Sequence, residues 1–489
     1  MQQGDHAHRR RKLGACSALI AVATVGALSL PAAPALAQTG PVSPTPVAGT
    51  PTLVDTGTTE QIRQLADCGG IMYAVGTFTE ISGYDSTTGT VQEFSRNNAF
   101  AFSDTAPFAI QPWNPNVNGT VNTVAFSGGN CSSAYLGGQF TTIGTTTAKN
   151  IAEVDTNLGA VVPTFKDSAG GQVETILAVN DGQGNPHLLT GGFFKSINNS
   201  SLDPYYTSLN PTTGKNDNFL ALGVSGHISF KGVKDNATQV YNQQLSNSGG
   251  TNGSTLVLVE GDFTTVSGQN RRQIFMINIG GTTATLTGWT SPEFDGSDPN
   301  GTLNSNDVYF NCGASHPYYV RAAAWSPDNQ TVYLADTGVH PILWNGTTFP
   351  MQGLCDAAAA FPATQTQVFS DWIAYDGCDS LYSAAADDSA LYVGGHNRWF
   401  NNQNDCNKEG PGAIPAPGLA GLTPGSAGGS LILNSASTAG LYSRSRGRGA
   451  DDMLLTDAGL WIASDNFGGK TSCGGKPGFS GLCFLPYTS

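Results

Sequence analysis

Between His396 and Asn402 the chain places His396, Arg398, Trp399, Asn401 and Asn402 within one short stretch. An indole offers an apolar face for stacking, and a guanidinium with two carboxamides donates and accepts hydrogen bonds in fixed directions. That combination suits a sugar ring or a peptide. The same residues have a structural use as well, with Trp399 as a plug between packed sheets and Arg398 paired to a carboxylate. A second cluster, Arg444, Arg446, Arg448, Asp451 and Asp452, can hold a carboxylate or phosphate bidentately. It can equally form an Arg–Asp network that locks neighbouring strands. Catalytic signatures are scarce, since His340 and His396 have no GxSxG or HExxH around them. Asp387, Asp388, Asp451, Asp452, Asp457 and Asp465 supply carboxyl groups for glycoside cleavage, a chemistry set by the separation of two of them. The run Asp295-Gly-Ser-Asp-Pro-Asn-Gly301 is oxygen-rich like a calcium loop but breaks the alternation at Pro299. An exposed connection is expected there, with no metal and no cofactor in the protein.

The first forty residues bear on the compartment. Arg9, Arg10, Arg11 and Lys12 form a basic region, an apolar stretch from Ala15 to Leu30 follows, and Ala35-Leu36-Ala37 presents a small-x-small cleavage pattern. Residues 1–37 are therefore expected to be a signal peptide, 38–51 a Pro/Thr-rich linker, and 52–489 one folded domain. The chain carries a formal charge of −14, and removing the signal's four positive charges and Asp5 leaves −17. A strongly acidic surface makes a poor partner for nucleic acid or for an anionic membrane.

Beyond Cys16 the chain has eight cysteines, an even number that suits disulfides in an exported protein. None forms a CxxC or a zinc-type spacing. Composition points to strands: 62 of 489 residues are glycine, about 13% against a usual ~7%. No sustained helical apolar pattern follows the signal, whereas short β-branched and aromatic runs bounded by Gly, Asn, Asp and Pro recur throughout.

One motif repeats. It reads Tyr73-Ala-Val-Gly76-Thr-Phe78, Tyr135-Leu-Gly-Gly138-Gln-Phe140, Leu189-Thr-Gly-Gly192-Phe-Phe194 and Val259-Glu-Gly261-Asp-Phe263. It continues as Tyr333-Leu-Ala-Asp336, Tyr392-Val-Gly-Gly395-His396 and Trp461-Ile-Ala-Ser464-Asp465. The markers at 76, 138, 192, 261, 336, 395 and 464 lie 54 to 75 residues apart, a period that fits four-stranded propeller blades. An apolar run precedes each motif, as in Val121–Phe126, Val173–Ala178 and Val320–Trp325. The expected fold is all-β, a single β-propeller of seven four-stranded blades, with six or eight as alternatives. The apolar run is then strand A lining the central channel, and the motif is strand B. Paired glycines would stand where the next blade crowds strand B, and the following Phe would fill the gap. The last unit offers three strands, so Thr52–Asp55 is expected to supply its fourth and hide the open edge. In this register Cys68 pairs with Cys131, Cys312 with Cys355, Cys378 with Cys406 and Cys473 with Cys483.

The glycine-pair strand, the Thr-rich loop and its closing Gly resemble the delta-60-type (GGxFT) β-propeller repeat of secreted actinobacterial proteins. The stretches Tyr392–Asn402, Pro411–Leu419 and Arg446–Gly449 before Gly459–Asp465, with Cys312-Gly and Leu354-Cys-Asp356, are similar to one such group. The resemblance implies a fold, an exported compartment and an actinobacterial type of origin, and it transfers no catalytic residue because the family has no assigned activity. Ala335-Asp336 departs from the pattern.

Three function classes follow. The favoured one is a non-catalytic, secreted or cell-surface propeller, a monomer, whose channel mouth binds an extracellular carbohydrate, peptide or anionic ligand. The others are a propeller hydrolase or lyase acting on polysaccharide and a cell-surface structural protein. The loops carrying His396, Arg398 and Trp399 and carrying Arg444, Arg446 and Arg448 should converge beside the channel.

Overall fold

A computed structural model describes residues 40–127, 129, 131–228, 237–295, 320–338, 354–433, 449–466, 472–473 and 476–487. They are almost entirely β, and the helix among them is the single turn Pro292–Asp295. Among the described residues most strands form seven antiparallel meanders in chain order, with smaller two- and three-stranded sheets beside them. Sheet one is Gln61–Cys68, Ile71–Thr77 and Ala99–Ser103. Sheet two is Thr120–Ala125, Ser133–Gln139 and Ile151–Asp155. Sheet three is Gln172–Asn180, Pro186–Phe193 and Tyr206–Leu209. Sheet four comprises Gln239–Leu245, Leu256–Asp262, Ile274–Asn278 and Thr285–Leu286. Sheet five comprises Val320–Trp325, Thr331–Asp336, Ala357–Pro362 and Trp372–Tyr375. Sheet six comprises Leu381–Ala386, Leu391–Gly395, Leu419–Leu422 and Leu431–Leu433, and sheet seven Ala450–Thr456, Gly459–Ser464 and Leu482–Pro486. The Thr-rich loop after the second strand is a small hairpin of its own in several sheets, as at Thr142–Ile143 with Thr146–Thr147 and at Thr265–Val266 with Gln269–Asn270.

Packing arranges these meanders in a propeller-like manner. A strand buried at nearly every position, as Ile71–Thr77, Leu256–Asp262 and Gly459–Ser464 are, has two faces to cover, and here one meets the preceding sheet and the other the next. One buried cluster joins sheets one and two around Val75, Trp113, Val124 and Leu136. Comparable clusters lie between every later pair. Leu53, Ile62 and Met72 pack with Trp461, Leu482 and Phe484, which brings the last sheet against the first. The first strands of consecutive sheets pack side by side, and that of sheet seven contacts that of sheet one.

The glycine pair has two separate causes. A Cβ on Gly137 would lie 2.5 Å from Cγ1 of Val173 in the next sheet, and one on Gly191 2.6 Å from Cγ1 of Val240. This is the crowding that the sequence suggests. The second glycine faces its own sheet: a Cβ on Gly138 would lie 2.2 Å from the Thr120 carbonyl oxygen, and one on Gly192 2.4 Å from that of Gln172. The phenylalanines two places on, Phe78, Phe140, Phe194 and Phe263, are buried as expected.

The edge of the last sheet is covered, but by a different segment from the one expected. Thr52–Leu53 pairs with Ile81 and Ser82 in the hairpin excursion of sheet one. The outer edge of Leu482–Pro486 is met instead by residues 42–47: Val42 bridges Tyr487, and the Ser43 and Val47 amides donate to the Pro486 and Phe484 carbonyls at 2.7 and 3.0 Å. Val42 is buried and its amide donates to the Tyr392 hydroxyl at 2.9 Å. The physical reason is anchoring, because Val42 enters the apolar layer between sheets six and seven whereas Leu53 enters that between seven and one.

Cys68–Cys131, Cys378–Cys406 and Cys473–Cys483 are bonded, with Cα separations of 5.7, 4.8 and 6.2 Å. Cys355 is also in a disulfide, and Cys312 lies outside the described residues. Cys68–Cys131 ties sheet one to sheet two across 63 residues. Replacing both cysteines with alanine should therefore lower stability by ~2–4 kcal/mol, read as a lower urea midpoint with a steeper slope as the unfolded chain expands.

Candidate functional site

Every first strand carries a register break at the same place. The ladders shift between Ile62 and Gln64, Val121 and Thr123, Val173 and Thr175, and Val240 and Asn242. They shift again between Val320 and Ala322, Leu381 and Ser383, and Ala450 and Asp452. A bulge leaves one residue out of the ladder and re-aims its side chain. The seven residues so released are Arg63, Asn122, Glu174, Tyr241, Arg321, Tyr382 and Asp451. All seven line one cavity of about 350 Å³, joined there by Gln61, Gln64, Thr175, Asn242, His396, Gly449, Asp452 and Asp465. In five of the seven sheets the residue opposite the break is a glycine, whose missing side chain leaves room for the preceding strand's carbonyl, whereas sheets five and seven carry Asp336 and Ser464 there.

The residues after the bulges stitch neighbouring sheets together. Gln64 Oε1 accepts from the Val124 amide at 2.6 Å, and Thr123 Oγ1 from the Ile176 amide at 3.1 Å. Ser383 Oγ donates to the Ala450 carbonyl at 3.0 Å, and Asp452 Oδ2 accepts from the Leu65 amide at 2.8 Å, linking sheet seven to sheet one.

Charge in the cavity is mixed. The Arg321 guanidinium lies 4.4 Å from the Tyr241 ring centre and 5.7 Å from that of Tyr382, whose hydroxyl is 3.3 Å from His396 Nδ1. Burial pushes the Asp451 carboxyl up to about 7; a Gln61 hydrogen bond and the two arginines oppose this, and Asp465 reinforces it. Burial also raises Asp452 to about 6 and moves Glu174 upward against the pull of Arg321 and Arg63. Asp451 Oδ2 and Asn122 Oδ1 are buried without a hydrogen-bond partner among the described residues. Among the described residues no group of His, Cys, Asp or Glu is arranged to hold a metal ion.

Of the residues singled out in the sequence, His396, Asp451 and Asp452 reach this cavity, as does Asp465. Arg398, Trp399, Asn401 and Asn402 do not. Arg398 donates from Nε and Nη2 to Asp379 at 2.6 and 2.9 Å and lies 4.4 Å over the Trp399 ring. The Asn402 amide group is buried, donating to the Lys408 carbonyl at 3.1 Å and accepting from the Gly410 amide at 2.9 Å, while Asn401 takes a left-handed turn at φ 56°. These four fix the excursion of sheet six. Arg444, Arg446 and Arg448, His340 and the stretch after Asp295 lie outside the described residues. Asp387 caps a turn by accepting from the Ser389 and Ala390 amides, both at 2.8 Å. Arg63, Asn122, Glu174, Tyr241, Arg321 and Tyr382 did not stand out in the sequence. Their signal was a polar or aromatic residue directly after the first apolar position of each strand A, as in Val121-Asn122, Val173-Glu174 and Val320-Arg321.

The three described disulfides fit an oxidising compartment. Among the described residues no helix is long and apolar enough to cross a membrane. No family model matches the chain, and no curated protein matches it in sequence. Solved structures similar to it include Saccharomyces cerevisiae Sqt1, at 9% identity and TM-score 0.46 over 90% of this chain and 100% of that one. U3-55K is similar at 8% identity and TM-score 0.44 over 90% of this chain and 100% of that one. The RRP9 WD40 repeats match at 8% identity and TM-score 0.40 over 91% of this chain and 99% of theirs.

Proposed function

We propose that the protein is a secreted, seven-bladed β-propeller of the delta-60 type that binds an extracellular ligand in its central cavity without catalysis. One observation carries this reading: the same bulge in all seven first strands sends one side chain per sheet into a single cavity. A structural bulge has no need to vary its occupant between Arg, Asn, Glu, Tyr and Asp, whereas a recognition surface does. The disulfides and the basic-apolar leader support export.

The test is a screen of the secreted protein on glycan and peptide arrays beside the Arg321→Ala variant. The expected result is a bound probe whose signal falls at least about tenfold in the variant. A probe bound equally by both proteins would place recognition elsewhere, and a probe turned over would overturn the non-catalytic reading.

A further inference from the structure

The charges at the bulge positions alternate in sign over every second sheet, and Asp452 and Asp465 add two carboxyl groups to the lining, Asp452 already accepting from the Leu65 amide. Arg63 stands on sheet one, Glu174 on sheet three, Arg321 on sheet five and Asp451 on sheet seven. They influence one another electrostatically, yet neither arginine forms an ion pair with either carboxyl group; the ion pairs among the described residues are those of His187 and Arg398. Arg321 is held by the faces of Tyr241 and Tyr382. A cation–π contact uses the flat face of the guanidinium and leaves its in-plane N–H donors for another partner. Asp451 Oδ2 is a buried acceptor with no donor among the described residues.

We propose, resting on the channel reading above, that the cavity takes a small zwitterion of the α-amino acid or dipeptide class, its carboxylate received by Arg63 and Arg321 and its ammonium by Glu174 and Asp451. A purely anionic ligand would satisfy the arginines and be repelled by the two carboxylates. A cation would do the reverse, and a neutral sugar would desolvate the four bulge-position charges with no opposite charge in return. A zwitterion answers both pairs at once. The cavity, about 350 Å³, lies in the range of small-molecule sites. The raised Asp451 carboxyl adds a signature: an arriving ammonium favours its ionised form, so binding near neutral pH releases a proton.

The experiment is isothermal titration of the mature protein with the protein amino acids and a set of dipeptides, each beside its N-acetyl form and its C-terminal amide. Expected is a bound zwitterion whose two blocked forms bind at least about 10-fold more weakly. Asp451→Asn and Glu174→Gln should each weaken the zwitterion by about 10- to 100-fold without weakening the N-acetyl form, while Arg321→Gln weakens both. Proton release measured in two buffers of different ionisation enthalpy should disappear in Asp451→Asn. Melting temperatures near wild type keep the variants interpretable, and Glu174→Gln serves if Asp451→Asn fails to fold. An N-acetyl form binding as tightly as its zwitterion overturns the inference, as does silence of the whole panel at about 10 mM. In either case the channel reading survives if an array probe remains sensitive to Arg321→Ala, and falls with it if none does.

Discussion

Raising the pH from 5 to 8 is expected to destabilise the protein, with the Glu260→Gln variant losing less stability over the same range. Glu260 occupies the place of the first glycine in the sheet-four motif, is fully buried, and has no hydrogen-bond partner for either oxygen beyond its own backbone. Burial pushes its carboxyl up to about 8. The folded state therefore holds the proton that the unfolded chain releases near its ordinary value of 4.5. Stability is fully present below that value, falls as pH rises, and levels off once the folded carboxyl itself ionises. At roughly 1.4 kcal/mol per pH unit the loss by pH 8 is about 4 kcal/mol. Asp451, raised to about 7, and Asp452 and Asp262, raised to about 6, act with the same sign. So do the buried Asp336, Asp356 and Asp376, which burial holds well above the usual carboxylate range. At pH 8 Glu260→Gln should be more stable than the parent by about 3 kcal/mol, since an amide there keeps no charge to desolvate. Urea unfolding at five pH values checks this, and a parent whose stability rises between pH 5 and 8 would contradict it.

Gly138→Ala should be much more damaging than Gly137→Ala, although the two positions are adjacent. At Gly137 the new methyl meets side-chain atoms, Val173 Cγ1 at 2.5 Å and Thr123 Cγ2 at 2.7 Å, which rotamer shifts partly relieve. A loss of about 1–3 kcal/mol is expected. At Gly138 the methyl meets backbone, the Thr120 carbonyl oxygen at 2.2 Å and Val121 Cα at 2.9 Å. Backbone cannot rotate away, so the ladder must open at the bulge that carries Asn122, at about 4 kcal/mol or more. The same change should displace Asn122, whose Nδ2 donates to the Val173 carbonyl at 3.0 Å, and thereby loosen sheets two and three. Equal stability of the two variants in urea would show that the bulge does not depend on the second glycine.

Much of the architecture is legible in the chain because it rests on local signals. The motif period, the Gly137 and Gly191 positions and three disulfide pairs depend on residue type and spacing alone. The bulges are not legible in that way, because a bulge is defined by the partner strand: Val121-Asn122-Thr123 reads as an ordinary apolar run until the ladder shows Asn122 outside it. The edge cover was misplaced for a related reason. Val42–Val47 contains two prolines and lacks strand alternation, yet two amide bonds and one buried valine suffice to seat it. Arg398 and Trp399 show the converse, since a polar, aromatic cluster that looks like a binding patch is consumed by its own fold through Asp379.

Because the break forms opposite a glycine in five sheets and opposite Asp336 or Ser464 in the other two, it belongs to the strand pair more than to the residue it releases. Arg63, Asn122, Glu174, Tyr241, Arg321, Tyr382 and Asp451 differ in size and charge, yet the ladder breaks around each in the same manner. The scaffold thus works like a socket board with seven plugs, some of which touch inside the cavity, as Arg321 does Tyr241 and Tyr382. Randomising these seven codons together would yield a library in which most members remain folded and differ chiefly in what they hold.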